Sequence, residues 1–193
     1  CTYYWGFNTT KPPFDNVKVR QAFSYALDRQ KLIDTVLKGA QTPATCFAPN
    51  GIFGSPASNP DFPAITYDPA KAKALLAEAG YPDGKGLPEI TLMFNTSQGH
   101  QQLAEFYQQS IKDTLGVEIK LANQEWNVFL ETVNEDAPQI YRMGWCLDYP
   151  DENNWVLEVF HPTKGQNYGK WSMDDPNAAR FAEVTEQAAR ESD

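Results

Sequence analysis

Three consecutive segments decide the fold: Ile90-Thr-Leu-Met-Phe94, Gln98-Gly-His-Gln-Gln-Leu-Ala-Glu-Phe-Tyr-Gln-Gln-Ser-Ile-Lys-Asp-Thr-Leu115, and Val117-Glu-Ile-Lys-Leu121. The first is a short apolar run bounded by polar residues, which reads as a strand. In the second, Leu103, Tyr107, Ile111 and Leu115 recur every four residues and line one helix face, which Gly116 closes. In the third, Val117, Ile119 and Leu121 alternate as in a half-buried strand. Strand, helix and strand in so short a span form the βαβ pattern. It predicts a parallel pair joined by a right-handed crossover.

Upstream of that unit, Asp68-Pro69 is a helix start, with Ala72, Leu75, Leu76 and Ala79 as the buried stripe and Gly80 as the stop. Residues 40–67 contain Pro43, Pro49, Pro56, Pro60 and Pro63 with Gly51 and Gly54, so they read as a long irregular excursion. Before it, Asp28 caps a helix over 29–37 that Gly39 closes. Asp15 or Asn16 caps another, with Val19, Ala22, Phe23, Ala26 and Leu27 facing inward. Residues 2–8 are rich in β-formers and read as a strand. Downstream, the pattern predicts a helix near 125–134, a strand near 139–146, and helices near 151–160 and 176–191. The class is α/β, a single domain over 1–193, with a mixed sheet containing parallel pairs.

Composition narrows the function. The 193 residues carry 16 Lys and Arg against 25 Asp and Glu, a net charge of −9. An acidic chain of this kind lacks the basic clusters that neutralise phosphates, which argues against nucleic-acid binding. No apolar run approaches the length of a spanning helix. The chain opens at Cys1 without an initiator Met, and the expectation is a piece of a longer polypeptide. Cys1, Cys46 and Cys146 show no zinc-binding spacing and allow one disulfide in three pairings or none. Phosphate-loop, dinucleotide, nucleophile-elbow and zinc-protease motifs are absent, so neither an enzyme nor a resident metal or cofactor is expected.

One stretch concentrates chemistry: Arg142-Met-Gly-Trp-Cys-Leu-Asp-Tyr149, at the expected end of a strand. Ligands of α/β sheets gather outside the carboxyl ends of strands. An Arg that can pair with a carboxylate, an Asp that can accept from an ammonium, and two large aromatics between and beside them suit a zwitterion. The competing account is an internal Arg142–Asp148 ion pair among core aromatics.

The chain resembles one lobe, the third domain, of the extracellular solute-binding proteins of family 5, the peptide receptors of ABC importers. The runs that carry the likeness are Cys1-Thr-Tyr-Tyr4, Lys11-Pro-Pro-Phe-Asp-Asn-Val-Lys-Val-Arg20, Ala26-Leu-Asp-Arg29, Ala72-Lys-Ala-Leu-Leu-Ala-Glu-Ala-Gly-Tyr81, Phe94-Asn-Thr-Ser97, Asn123-Gln-Glu-Trp126 and Gly144-Trp-Cys-Leu-Asp-Tyr149. The resemblance implies a periplasmic-binding-protein type II-like lobe that helps enclose an extended oligopeptide, with a second lobe and a membrane permease as partners and a periplasmic or extracellular location. It implies that Asp148 grips the peptide's α-amino group, that Arg142 and His100 meet its carboxylate end, and that Trp126 and Trp145 line side-chain pockets. Tyr4 and residues 123–125 are weaker candidates. It implies a Cys1–Cys146 disulfide with Cys46 left free, and further lobe sequence beyond Asp193. Trp5-Gly6 departs from the family pattern, where an acidic residue at position 6 would help hold basic peptide side chains. Rival expectations are a family receptor for a nickel chelate, haem, sugar or opine, and, from another class, a peptide hydrolase domain.

Overall fold

A computed structural model describes residues 1–39 and 41–191; Ala40, inside the irregular excursion, lies outside the described residues, as do Ser192 and Asp193. Four strands form one sheet: β1 (Thr2–Phe7), β2 (Ile90–Asn95), β3 (Ile119–Gln124) and β4 (Ile140–Trp145), in the spatial order β1-β4-β2-β3. β2 runs parallel to both β3 and β4, and β1 is antiparallel to β4, so the α/β class with a mixed sheet holds. The helix α4 (Gln98–Leu115) makes the β2-to-β3 crossover and ends at Gly116, whose φ of 71° is left-handed and favours glycine. β3 starts at Ile119, one alternation later than the pattern predicts, because Val117 sits in the turn against Gly84.

Alternation along the strands divides the apolar residues between two cores. Ile90, Leu92 and Phe94 of β2 and Ile140 of β4 enter the first, together with Phe14, Leu76, Tyr107 and Ile111. α1 (Val17–Tyr25), α3 (Pro69–Glu78) and α4 cover that face. Met93, Tyr141 and Met143 enter the second, under Phe129 and Val133 of α5 (Trp126–Asp136). α6 (Glu152–Phe160) and α7 (Pro176–Ala188) close the chain; α7 stops before Glu191, with Ala189 as its cap.

The helix starts follow from polar caps, α4 excepted, whose cap residue Ser97 makes no side-chain capping bond. Asn16, Asp28, Asp68, Glu125, Asp151 and Asp175 accept from the first-turn N–H groups of their helices. The segment after Asp28 departs from the expectation of one helix closed by Gly39. It forms α2 (Arg29–Leu32), then a π-helical turn (Ile33–Leu37), and Lys38 takes the left-handed closing position, donating to the Ile33 carbonyl at 2.7 Å.

The irregular excursion is anchored from its middle. Phe47 meets the rings of Tyr4, Trp155 and Phe160 at centroid distances of 5.1, 5.7 and 4.5 Å. The Thr2 hydroxyl donates to the Phe47 carbonyl (2.9 Å), and Phe53 bridges Asp151 in parallel. Cys46 is a free thiol that donates to the Ala48 carbonyl (2.9 Å).

Candidate functional site

Because β2, β3 and β4 are parallel, their carboxyl ends at Asn95, Gln124 and Trp145 share one edge of the sheet, and antiparallel β1 starts there, with Thr2 opposite Trp145. A disulfide joins Cys1 to Cys146, tying the first residue to the turn that leaves β4. Two glycines on neighbouring strands then admit aromatic rings. A Cβ on Gly144 would meet the Tyr3 ring at 2.7 Å, and one on Gly6 would meet the Tyr141 ring at 2.2 Å. The two rings lie on opposite faces, as strand alternation requires.

On the first face, Arg142 sits beside Trp5, its cross-strand partner. Its residue is only 7% exposed, yet its guanidinium reaches Asn95 Oδ1 at 3.5 Å and lies 4.3 Å from the Tyr3 ring centroid. Among the described residues no carboxylate forms an ion pair with Arg142. Burial pushes its pKa down, and Tyr3 opposes that shift. His100, in the first turn of α4, donates Nδ1–H to the Asn95 carbonyl (3.1 Å). Burial, then the nearby Arg142 charge, holds its pKa below the usual histidine value. Asn95 therefore links Arg142 and His100, one through its side chain and one through its backbone.

The other candidates lie elsewhere on the same edge or on the opposite face. Tyr4 is half-buried on the second face, against Phe47 and Tyr141. Burial, reinforced by Tyr168, raises its pKa well above the usual tyrosine value. Trp126 is 43% exposed and stacks on Phe129 at 6.0 Å. Asn123 accepts from the Thr96 hydroxyl (2.8 Å), and Glu125 caps α5, so both already have structural partners. Trp145 donates its indole N–H to Asn154 Oδ1 at 3.1 Å. The same oxygen accepts the backbone N–H of Asp148 at 3.1 Å. Asp148 is exposed, and among the described residues no hydrogen bond or ion pair occupies its carboxylate. The internal Arg142–Asp148 ion pair does not form.

Asn95 and Asn154 were not singled out as site residues from sequence. Asn95 falls inside the Phe94-Asn-Thr-Ser97 run and could have been found there. Asn154 is an ordinary polar residue in a first helical turn, and its only signal is burial.

The parallel strands of the mixed sheet thus end on a rim that carries an exposed acid and a buried arginine, neither in an ion pair among the described residues, and the carboxyl ends of such strands are where α/β sheets gather ligands. The chain belongs to the bacterial extracellular solute-binding proteins, family 5 Middle, whose model matches residues 1–167. It is 34% identical over 193 residues to the periplasmic oligopeptide-binding protein OppA of Escherichia coli, an alignment taking in 98% of this chain and 35% of that protein. It is 37% identical over 169 residues to the oligopeptide-binding protein OppA of Bacillus subtilis, covering 86% of this chain and 31% of the relative. The crystal structure of a periplasmic oligopeptide-binding protein from Borrelia burgdorferi superposes with a TM-score of 0.85 at 31% identity, over 100% of this chain and 37% of that one. The chain thus spans about a third of the length of these relatives, and all three are named as binding proteins.

Proposed function

We propose that this chain is one lobe of a two-lobed receptor that encloses an extended oligopeptide and hands it to a membrane permease of the ABC type, at the periplasmic or extracellular face of the cell membrane. The observation that carries the reading is a pair of unneutralised opposite charges on one sheet edge. Among the described residues, the exposed Asp148 carboxylate has no hydrogen-bond or ion-pair partner, and Arg142, 7% exposed, forms no ion pair with a carboxylate. A buried cation without a counter-charge is costly, and a ligand carboxylate removes that cost. An aspartate shut in with a ligand ammonium does the same at the other end.

In this reading Asp148 receives the α-amino group. Arg142 receives the terminal carboxylate as a fork of donors; His100, whose Nδ1–H is spent on Asn95, joins it through Nε2 as the imidazolium, the form that a bound carboxylate favours. Trp145 and Trp126 supply flat apolar walls for side chains, and Tyr4 supports the sheet behind them. The second lobe supplies backbone groups that pair with the peptide, so recognition rests on main chain and termini and tolerates varied sequences. No bond is made or broken. The peptide-binding names of the relatives support a peptide over an uncharged sugar or a chelate.

The test uses the full-length receptor. Native mass spectrometry identifies co-purifying peptides. Calorimetry then compares tripeptides and tetrapeptides having free and N-acetylated amino termini. Asp148→Asn is expected to weaken free-amine peptides by at least about 30-fold, as truncation of one partner of an enclosed charge pair does. It is expected to leave the acetylated series nearly unchanged. Equal affinity of wild type and Asp148→Asn for free-amine peptides overturns the reading, and so does recovery of hydrolysed peptide.

A further inference from the structure

We infer that Asn154 is a positioning residue that sets the site's acid and one of its aromatic walls together, an inference that rests on the peptide-receptor reading above. Asn154 is 1% exposed, in the first turn of α6. Its Oδ1 accepts from two groups on the turn leaving β4, the Trp145 indole Nε1–H and the Asp148 backbone N–H, each at 3.1 Å. Two donors converging on one atom of a side-chain amide require that atom to be the oxygen, so the orientation of the amide is determined. The amide nitrogen is buried and has no partner among the described residues. The oxygen alone therefore does the positioning, and the nitrogen is dispensable.

Among the described residues the turn is otherwise held at its start and at Tyr149, whose carbonyl accepts from the Asp151 N–H and whose hydroxyl accepts from the Asn153 amide, each at 2.9 Å. Thr2 pairs with Trp145, and Cys1 is bonded to Cys146. From Leu147 to Tyr149 the residues are exposed. Asn154 holds this stretch at Asp148 itself, from a helix on the far side of the turn. It leaves the Asp148 carboxylate untouched while restricting the backbone that aims it. The same oxygen fixes the plane of the Trp145 ring. Asn154 is thus expected to control how well the receptor distinguishes a peptide with a free amino terminus from one without, beyond any effect on folding.

In the full-length receptor, affinities for a free-amine tripeptide and its N-acetylated form are measured by calorimetry for wild type, Asp148→Asn, Asn154→Leu and Asn154→Asp. Asn154→Leu keeps the shape and removes the acceptor. It is expected to weaken the free-amine peptide about 10-fold, the scale of lost buried hydrogen bonds, and the acetylated peptide by less than about threefold. Asn154→Asp keeps the acceptor, drops the orphaned nitrogen and puts a negative charge at a helix N-terminus, and it is expected to restore wild-type discrimination. If Asn154→Leu fails to fold, Asn154→Ser, whose hydroxyl is too short to reach both donors, carries the same comparison. Equal weakening of both peptides by Asn154→Leu or Asn154→Ser, or no change in either, overturns the positioning role while Asp148→Asn still abolishes discrimination. Undiminished discrimination in Asp148→Asn overturns the peptide-receptor reading itself.

Discussion

Replacing Gly6 or Gly144 by alanine adds the same methyl group to neighbouring strands, and the two outcomes should differ sharply. At Gly6 the new Cβ would lie 2.2 Å from Tyr141 Cζ and 2.4 Å from its Cε2 and Oη. Carbon atoms in contact sit about 3.5–4.0 Å apart, so the ring must retreat by more than about 1 Å. Tyr141 is 3% exposed and hemmed in by Tyr4, Met143, Phe129, Val133 and Tyr168, so it has nowhere to go. Overpacking costs about 1–3 kcal/mol, and complete eviction of an aromatic approaches the roughly 3–5 kcal/mol of deleting one. Alanine's better backbone entropy returns about 0.5–1 kcal/mol. The net loss for Gly6→Ala is therefore about 2–3 kcal/mol.

At Gly144 the obstructing atoms are 2.7 and 2.8 Å away, on Tyr3. That ring is 67% exposed and can swing into solvent. Gly144→Ala should change stability by less than about 1 kcal/mol, yet it removes the ring beneath the Arg142 guanidinium. Urea unfolding of both variants reads the difference as a shift of midpoint at constant slope, about 1 M or more for Gly6→Ala and a few tenths for Gly144→Ala. Coincident midpoints, or a larger loss for Gly144→Ala, refute the argument that the caged ring rather than the added methyl sets the cost.

Breaking the Cys1–Cys146 bond frees ends 145 residues apart, for which loop entropy sets a ceiling of about 5 kcal/mol; the double serine variant should unfold at markedly lower urea, by circular dichroism. The Glu186 carboxylate is held below the usual glutamate range, first by a hydrogen bond from Lys164 and also by His161. A depressed carboxylate contributes stability above its unfolded-state pKa and loses it as pH falls through the folded value, so Glu186→Gln should flatten the acid limb of a melting-temperature profile below about pH 4.5. His100 binds its proton less readily folded than unfolded, chiefly through burial and then through Arg142. Its contribution to stability therefore declines as pH drops below the ordinary histidine value of about 6.5. Arg142→Leu should move the His100 midpoint upward in an NMR titration, and an unmoved midpoint contradicts the electrostatic contact.

The repeating elements were legible because period and punctuation are local properties. The four-residue spacing of α4 and the left-handed stop at Gly116 need no partner to be recognised, and neither do the capping acids. The same holds for the Arg142-to-Tyr149 run as a concentration of chemistry. The π-helical turn over Ile33–Leu37 was not legible, since its residues carry an ordinary helical pattern. The excursion yielded only the absence of regular elements. Proline and glycine rule out long helices and strands without saying what the chain does instead: Pro56–Ser58 forms a short 3-10 helix that Ser55 caps, against the expectation of no regular element, and Phe47 packing between Tyr4 and α6 is a contact between distant residues.

Which residues share a face depended on register. Pairing of Trp5 with Arg142 puts Tyr4 behind the sheet and Tyr3 in front, and a slip of one residue would reverse both. Whether Arg142 and Asp148 neutralise each other was likewise open from their spacing, because six residues across a strand end and a turn can bring charges together or hold them apart. Composition and periodicity, read along the chain, settled the class and the order of elements. Charge pairing, ring-over-glycine contacts and the reach of Asn154 across a turn are distances between residues that the chain does not make neighbours, and those exist only once it has folded.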